Sequence, residues 1–421
     1  MQFFNRGDGV KRWDIGFVRA RKLALDLVSP LGVEELALSQ AVDCVLAEPV
    51  RARVNAPSTA SSTKDGYAVF SGDTAAAGPE HPVSLEVIDH VAAGGRMKGA
   101  VKPGQAVRIL TGAPIPEGAD AVLAEEFADI DGKWITARAD AGPGRNVQAA
   151  GADVSLGEPL AEAGQKVTPQ LVGLFTAGGI STVRVFKKPR VGLLATGSEI
   201  ELPGRPLTEG RLYASNAALQ QAWLLEAGMP VELLAAADEW DDISDALCRL
   251  HASCDVVLTS GGAWKGDRDL VVKVLEKLGW EMFFHRTRMG PGKSLGAGRL
   301  DDKPVFCLPG GPASNEIAFT MIVFPALLKM AGFTSAPYLS LTGRLAEAVF
   351  GRPDWTQFIP CDIAGTRPEI VLKPARIKSR MAGMNRTPAV LRIPEGVETI
   401  EAGAQVRFLC LDRRMFEWPI D

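Results

Sequence analysis

Cysteine and histidine are both scarce in this sequence. The six cysteines are Cys44, Cys248, Cys254, Cys307, Cys361 and Cys410, and no two of them form a C-x-x-C pair. A zinc ribbon needs such pairs and a disulfide scaffold needs a denser set, so reduced thiols in a cytosolic protein are the better interpretation. The four histidines, at positions 81, 90, 251 and 285, show no metal-ligand spacing.

Long apolar runs and a strong charge of one sign are also missing. No stretch approaches the roughly 18 uncharged apolar residues of a membrane-spanning helix. Residues 1–12 lack the basic-then-apolar order of a secretory signal. The formal net charge of -4 provides no cationic field for a polyanion. We therefore expect a cytoplasmic protein that binds neither membranes nor nucleic acid.

The length of the chain and the changes in its local composition predict several domains. At about 100–200 residues per domain, 421 residues suggest roughly two to four. Residues 14–28 read as a helix, and from about 55 to 150 glycine, proline and short β-type runs indicate a small β-rich domain. Helical character returns at 169–177. If this helix packs with the first one, the β-rich part is an insertion.

From Pro189 onward, strand and helix patterns alternate. Apolar strands at 191–195, 231–236, 255–258 and 305–308 are interleaved with helices at 216–227, 241–252, 270–278 and 313–330. Strands that are apolar on both faces are typical of a parallel sheet covered by helices. Short β runs at 370–372, 389–393 and 405–411 then indicate a separate C-terminal β domain.

Three glycine-rich or polar loops follow strands of this predicted sheet. They are Thr196–Glu199, Thr259–Asp269 and Leu308–Ser314. Ligands of open parallel sheets bind beyond the carboxyl ends of the strands, where glycine permits close approach and helix N–H groups attract anions. Any one loop could be only a tight turn. Three such loops on one edge of the predicted sheet favour a site that binds a phosphate.

Acidic residues form a second set near these loops. Glu199, Asp238, Asp267 and Asp269 each follow a predicted strand. Any one of them could cap a helix or face solvent, but acids beside a phosphate favour a hard cation such as Mg²⁺. Lys293 could offset oxyanion charge or be an ordinary exposed lysine.

Trp264 is a large aromatic residue within the second loop. It could stack on a flat ring or simply fill the loop.

Several longer runs resemble the molybdopterin molybdenumtransferase family (MoeA and the gephyrin E domain) over nearly the full length. The matching runs are D-G-Y-A at 65–68, R-I-L-T-G-A-P-I-P-E-G-A-D-A-V at 108–122, N-V-Q-A-A-G-A-D-V at 146–154, L-L-A-T-G-S-E-I at 193–200, T-S-G-G at 259–262, P-G-K at 291–293, L-P-G-G-P-A-S at 308–314 and F-P-A-L-L-K-M-A-G at 324–332. The run at 108–122 is long enough to be highly specific.

This resemblance implies a multidomain α/β plus β fold. It implies a discontinuous linker domain (1–54 and 151–188), an inserted β-rich domain (55–150), a MogA-like α/β domain with a mostly parallel sheet that binds molybdopterin (189–333), and a C-terminal β-barrel domain (334–421). It also implies an elongated homodimer whose active cleft lies between the α/β domain of one subunit and the inserted and linker domains of the other.

The resemblance further implies the chemistry and the residues that perform it. The expected reaction inserts molybdate, or tungstate, into adenylylated molybdopterin with release of AMP and with Mg²⁺. The implied catalytic residues are Asp65, Thr111, Asp153, Glu199, Asp238 and Asp269, of which the last three would also hold the cation. The implied pterin-site residues are Thr196, Gly197, Ser198, Ser260, Gly261, Gly262, Asp267, Pro291, Gly292, Lys293, Pro309, Gly310, Gly311 and Ser314. Other assembly proteins of the molybdenum cofactor are possible partners.

The sequence departs from the family pattern at several of these runs. The departures are Ala60 for an acid, Lys64 for Met, Gln148 for Arg, Trp264 and Lys265 for two small residues, Gly290 for Lys and Gly311 for Asn. An alternative hypothesis is therefore a catalytically degenerate paralogue that binds a pterin or a partner protein. An unrelated nucleotide-binding enzyme is disfavoured, since no G-x-G-x-x-G with a suitable acid and no complete Walker loop occurs.

Overall fold

A computed structural model describes residues 13–261, 270–336, 338–364, 370–375, 380–384 and 386–411. The chain divides into two compact units, which are described separately. Unit 1 comprises residues 1–34, 43–45 and 186–421, and unit 2 comprises residues 35–42 and 46–185. The finer division into four domains stays a prediction.

The strands are numbered along the chain. Those that begin before residue 190 are β1 (Trp13–Gly16), β2 (Val33–Ala37), β3 (Val50–Arg51), β4 (Ser61–Ser62), β5 (Gly66–Val69), β6 (Val83–Val91), β7 (Gln105–Ile109), β8 (Ala121–Ala124), β9 (Ala128–Asp131), β10 (Trp134–Ala137), β11 (Val147–Gln148), β12 (Pro159–Ala161) and β13 (Thr182–Phe186). Those that follow are β14 (Val191–Thr196), β15 (Ile200–Glu201), β16 (Leu212–Tyr213), β17 (Val231–Ala236), β18 (Val256–Ser260), β19 (Glu281–Gly290), β20 (Gly296–Leu300), β21 (Lys303–Leu308), β22 (Leu339–Leu345), β23 (Val349–Phe350), β24 (Thr356–Ala364), β25 (Val371–Pro374), β26 (Ala389–Ile393), β27 (Thr399–Ile400) and β28 (Gln405–Cys410).

The helices are numbered in the same way. They are α1 (Phe17–Asp26), α2 (Ser71–Thr74), α3 (Pro169–Ala177), α4 (Ser215–Glu226), α5 (Trp240–Ser253), α6 (Leu270–Lys277), α7 (Pro312–Ala318), α8 (Phe324–Met330) and α9 (Arg380–Met384), with a 3₁₀ turn at Glu125–Phe127 and a π turn at Phe319–Val323. Most of the predicted helices and strands are present with bounds that shift by one to three residues.

A mixed sheet forms the centre of unit 1. Its strand order is β17-β14-β18-β21-β20-β19, and the first four strands are parallel. Every residue of β14 and β18 is buried, as the apolar patterns predicted. Because β17 lies at the edge of the sheet, it is only partly buried. The predicted parallel sheet is therefore confirmed.

Helices cover both faces of this sheet. On one face, Leu194 and Val257 pack in a core with Leu247 and Leu250 of α5 and Val274 of α6. On the other face, the neighbouring strand residues pack against the segment from α7 to α8. Alternate side chains of one strand point to opposite faces, so each strand contributes to both cores.

The segment Pro312–Met330 is a continuous helix of 19 residues, and it is long and apolar enough to cross a membrane by length and composition alone. However, 78% of its apolar window is buried inside the protein, which is the behaviour of a core helix. A π turn at Phe319–Val323 interrupts its regular α-helical hydrogen bonding, and there the Phe324 N–H donates to the Phe319 carbonyl. Pro325, which follows, has no N–H to continue the regular ladder.

The C-terminal strands close into a five-stranded barrel. The pairings run β24–β25, β25–β22, β22–β28, β28–β26 and β26–β24, which returns to the first strand. Leu345, Leu372, Leu391 and Phe408 fill its interior. Closure leaves no free edge strand among these five. The expected C-terminal β-barrel is confirmed.

Unit 2 contains a six-stranded sheet in the order β8-β5-β7-β6-β10-β9. Tyr67, Val69 and Leu123 pack on one of its faces, and Ala68, Val107 and Val122 pack on the other. Helix α3 follows the strands of this sheet in the sequence. It begins at Pro169, where the Thr168 hydroxyl caps it by accepting from the Leu171 N–H.

Two local predictions for unit 1 were wrong. The first helix begins at Phe17 rather than near residue 14, because Trp13–Gly16 forms a strand parallel to β19. The hairpin of β19 and β20 was not predicted at all. Its strands pair antiparallel beside β21, so the sheet is mixed at that side. Both errors concern pairing partners distant in sequence, which a local pattern does not reveal.

Candidate functional site

The first predicted loop of unit 1 lies directly beside the end of β17. The Gly197 N–H donates to the Ala236 carbonyl at 3.3 Å, and the Asp238 N–H donates to the Ser198 hydroxyl at 3.3 Å. Thr196 is buried, while Glu199 and Asp238 are exposed. Parallel pairing therefore places the two exposed acids on adjacent loops at the carboxyl edge of the sheet.

Gly261 packs the second loop against the first. Its φ is +110°, and a Cβ at this position would lie 2.6 Å from the Thr196 carbonyl oxygen. The Gly261 N–H also donates to the Leu308 carbonyl at 3.4 Å, next to the third loop. Only glycine satisfies both the backbone conformation and the close approach. The backbone structure thus explains why glycine occupies the third position of the T-S-G motif.

Buried amide side chains tie the third loop to the other two. Asn315 in α7 donates through Nδ2 to the Ser260 hydroxyl at 3.0 Å and to the Pro309 carbonyl at 2.8 Å. Gln220 Nε2 donates to Asn315 Oδ1 at 2.6 Å, and Asn216 Nδ2 donates to the Gly310 carbonyl at 2.8 Å. The three predicted loops therefore meet at one edge.

Sequence reasoning missed these three amides. Asn216 and Gln220 are four residues apart in α4 and so lie on one face of that helix. Gln220 and Asn315 are 1% and 0% exposed. A polar pair at i and i+4 in an otherwise apolar helix was the available signal, but its partner is 95 residues away.

Several buried oxygen atoms at this edge have no hydrogen-bond partner among the described residues. They are Thr196 Oγ1, Thr259 Oγ1, Asn216 Oδ1 and Gln220 Oε1. Buried polar atoms are nearly always paired in folded proteins, and each unpaired one costs about 1–3 kcal/mol. Four such atoms beside three converging loops mark a place where a ligand can supply the partners.

Lys293 stands in the turn of the β19–β20 hairpin. Gly296 pairs with Cys307 near the end of β21, so the turn extends past the same edge of the sheet as the three loops. The Lys293 Nζ lies 5.3 Å from the centre of the Trp355 ring, a cation–π contact. Gly292 has a φ of +116°. The structure thus brings P-G-K to the predicted edge.

The predicted cation ligands are only partly described. Among the described residues, no group of three or more His, Cys, Asp or Glu side chains could hold a metal ion. Asp269, with Gly262, Trp264, Lys265 and Asp267, lies outside the described residues. Glu199 and Asp238 place two carboxylates on adjacent loops. This number suits Mg²⁺, which commonly takes one or two carboxylates together with substrate phosphates and water.

In unit 2, the predicted residues Asp65 and Thr111 are directly bonded. Asp65 Oδ1 accepts from both the backbone N–H and the hydroxyl of Thr111, at 2.7 Å each. These two donors, with a smaller contribution from Arg108, hold the pKa of the Asp65 carboxyl below its usual value. The carboxylate is exposed and ionised, so it can contact a cation or a polar substrate group.

The remainder of the D-G-Y-A motif has a packing role. A Cβ on Gly66 would lie 2.0 Å from the Leu123 carbonyl oxygen of β8. Tyr67 and Ala68 are buried in the two cores of the sheet. Close strand approach therefore explains the glycine, and Asp65 is the member of the motif that faces solvent.

The other matching runs of unit 2 are joined to neighbouring segments by backbone hydrogen bonds. The Ile115 N–H donates to the Ala60 carbonyl at 2.9 Å, and β4 pairs with β11, which contains Gln148. The Asp153 N–H donates to the Ala56 carbonyl at 3.0 Å. Backbone hydrogen bonds thus tie the segments that contain Ala60, Gln148 and Asp153 to neighbouring segments of unit 2, and no side-chain hydrogen bond joins Asp153 to Asp65.

Comparison with known families gives two matches. The family described as the MoeA N-terminal region (domain I and II) matches residues 15–179, and that described as a probable molybdopterin binding domain matches residues 192–329. A molybdopterin molybdenumtransferase of Bacillus subtilis (strain 168) is 31% identical over 395 residues, which is 92% of each chain. The chain belongs to the molybdopterin molybdenumtransferase family. Its members are transferase enzymes, and this chain is one of them.

Further relatives agree with this assignment. Molybdopterin molybdenumtransferase 2 of Mycobacterium tuberculosis (strain ATCC 25618 / H37Rv) is 32% identical and covers 88% of this chain and 93% of its own. Two structures of the molybdopterin biosynthesis MoeA protein of Pyrococcus horikoshii have TM-scores of 0.84 and 0.78, identities of 30% and 28%, and coverage of 95% and 94% of this chain and 99% and 100% of theirs. The multidomain fold inferred from the family resemblance is confirmed.

Proposed function

We propose that this chain inserts molybdate, or tungstate, into adenylylated molybdopterin and releases AMP. The observation that carries the proposal is the meeting of three polar loops with four unpartnered buried oxygens at the carboxyl edge of one sheet. A pterin offers N–H donors for such oxygens. Its phosphate matches glycine-rich backbone and Lys293. The family membership supports molybdopterin as the substrate.

The residues of this site have distinct proposed roles. Thr196, Ser260 and Gly261 line the pterin-phosphate side, with Gly197, Ser198, Pro309, Gly310, Gly311 and Ser314 as backbone and hydroxyl contacts. Glu199 and Asp238 would hold Mg²⁺, together with Asp269. When bound, the cation would neutralise oxyanion charge. These three acids would also face the adenylate. Asp65, Thr111 and Asp153 would be cleft residues contributed by the inserted and linker parts.

We further propose that the protein works as a homodimer in the cytoplasm, with molybdenum-cofactor assembly proteins as partners. The family resemblance supports the dimer, and the scarcity of cysteine and of long apolar runs supports the location. Sedimentation at micromolar concentration tests the dimer. A monomer under these conditions would refute it.

AMP release tests the proposed reaction. Purified protein is incubated with adenylylated molybdopterin, molybdate and Mg²⁺, and AMP and protein-bound molybdenum are measured together. We expect both to appear in a 1:1 ratio, and expect Asp65→Asn to reduce both by about 100-fold, the scale of one lost transition-state contact. Asp131→Asn, which changes an exposed acid elsewhere in unit 2, is the matched control.

The degenerate-paralogue hypothesis predicts a different outcome of the same experiment. In that case the substrate binds but neither AMP nor bound molybdenum accumulates. Ala60→Asp, which restores the acid of the family pattern, then separates an impaired enzyme from a binding protein. A large gain in metal insertion by Ala60→Asp would indicate an impaired enzyme.

A further inference from the structure

The hydrogen bonds around Asn315 have a fixed direction. The Pro309 carbonyl can only accept, so the Asn315 side chain must present its Nδ2 to it, at 2.8 Å. Asn315 Oδ1 then faces Gln220, which must present Nε2 as the donor, at 2.6 Å. The orientation of both amides follows from one backbone carbonyl rather than from a choice between equivalent rotamers.

The same chain determines which way the Ser260 hydroxyl points. Its oxygen accepts from Asn315 Nδ2 at 3.0 Å, so its own proton is available for another acceptor. A serine hydroxyl has one proton to donate, and no described residue takes it. Ser260 is 8% exposed and ends β18 at the carboxyl edge of the sheet. A ligand atom that accepts hydrogen bonds and reaches this edge can therefore accept from the Ser260 hydroxyl.

We propose that Asn315 is a positioning residue that makes the Ser260 hydroxyl a hydrogen-bond donor to an oxyanion oxygen, with Gln220 holding the amide of Asn315 in place. The proposal rests on the proposed function, in which the oxyanion is the phosphate of the pterin.

Asn315 lies in α7, four residues after Gly311, where the sequence departs from the family pattern. The family pattern has Asn where this chain has Gly311, and Asn315 stands one helical turn later, where its N–H bonds the Gly311 carbonyl at 2.8 Å. Asn315 and Gln220 are both at least 99% buried. Burying an amide side chain is costly unless its hydrogen bonds are made. Asn315 makes side-chain bonds to Ser260, Pro309 and Gln220, which favours a role in orienting Ser260.

Binding of two related ligands tests the proposal. The probes are a 6-alkyl pterin phosphate and the same pterin without its phosphate, titrated into the full-length protein by pterin fluorescence. Asn315→Asp presents only acceptors, so the Ser260 proton turns inward. We expect about 10- to 100-fold weaker binding of the phosphate form, as for loss of a hydrogen bond to a charged group, and little change for the dephosphorylated form.

Two further variants keep the test decisive if Asn315→Asp does not fold. Ser260→Ala should weaken binding of the phosphate form by a similar factor, and the double variant should bind no more than about threefold more weakly than either single one, since both remove the same contact. Gln220→Met should give a smaller loss of the same selectivity. Ser253→Ala, at the far end of α5, is the control and should change nothing.

The outcomes separate this proposal from the proposed function. If the unmodified protein binds neither pterin, both are overturned. If it prefers the phosphate form, and Ser260→Ala and Gln220→Met keep that preference in full, the role of Asn315 is overturned while the proposed function stands. A purely structural role would weaken both ligands equally, which also contradicts the proposal.

Discussion

Asp65 and Thr111 form a two-point contact in which one carboxylate oxygen receives both donors of a single residue, the N–H and the hydroxyl, at 2.7 Å each. The two residues come from separate motifs, 46 positions apart. Bonding orients the carboxylate and keeps it ionised. This contact connects the D-G-Y-A and R-I-L-T-G-A-P runs physically.

Thr111→Val keeps the backbone donor and removes the hydroxyl. Because hydrogen bonds from Thr111 are the main cause of the lowered pKa of Asp65, that pKa should rise toward its usual value. The acid limb of the pH profile of AMP release should shift to higher pH. Loss of the hydroxyl that orients the carboxylate should separately lower the rate at neutral pH about 10-fold. Carboxyl NMR of Asp65 checks the pKa directly. Thr63→Val, in the loop that contains Asp65, is the control, and an equal shift there would contradict the assignment.

Glu316→Gln should stabilise the protein at alkaline pH. Burial raises the pKa of the Glu316 carboxyl from 4.5 to about 7. Between these pH values the folded state binds one more proton at Glu316 than the unfolded state does. The contribution of Glu316 to the free energy of unfolding is therefore most favourable below pH 4.5 and is lost as the pH rises to about 7. The free energy of unfolding of Glu316→Gln should exceed that of the unmodified protein by about 3 kcal/mol at pH 8.

Urea unfolding at pH 4 and pH 8 measures this difference. At pH 4 the two proteins should be nearly equal, because Glu316 is protonated in both states. Glu226→Gln, at the exposed end of α4, should show no such pH dependence. A gain of equal size at both pH values would mean that burial of the charge is not its cause.

Gly261→Ala should disrupt the meeting of the three loops. The added Cβ would lie 2.6 Å from the Thr196 carbonyl oxygen, so one strand end must shift. We expect a loss of about 1–3 kcal/mol in unfolding free energy and at least 10-fold weaker pterin binding. Gly210→Ala is a matched control, because its φ is also positive, at +83°, but nothing lies within 4 Å of the new Cβ. Equal effects of the two would assign the cost to backbone strain alone.

Removal of divalent cations should abolish AMP release, because the proposed site uses Mg²⁺ to neutralise oxyanion charge. Restoring Mg²⁺ should recover activity. Glu199→Gln and Asp238→Asn should each raise the Mg²⁺ concentration for half-maximal rate by about 10-fold or more, since each removes one ligand charge. Lys293 is proposed to contact the phosphate rather than the cation, so Lys293→Met should leave that concentration unchanged and raise KM instead. Activity unaffected by chelation would refute the metal role of both acids.

Local patterns determined much of the fold. Strands β17 (Val231–Ala236) and β26 (Ala389–Ile393) have the bounds that the sequence predicted, and helix α3 (Pro169–Ala177) also matches. Apolar runs, a Thr-Pro start and glycine-rich ends are properties of neighbouring residues. The carboxyl-edge loops were predicted for the same reason, because each follows its strand directly. The resemblance of the motifs to a known family then predicted the reaction.

Only the tertiary structure decided what these elements contact. The barrel closes through pairing of β24 with β26, the β19–β20 hairpin joins the parallel sheet, and Gln220 meets Asn315 across 95 residues. Nothing adjacent in the chain specifies those partners, since strand pairing and buried amide networks depend on which distant surfaces meet in the folded core. Sequence determined the loops and acids of this enzyme. The fold determined that Asn315 holds the Ser260 hydroxyl.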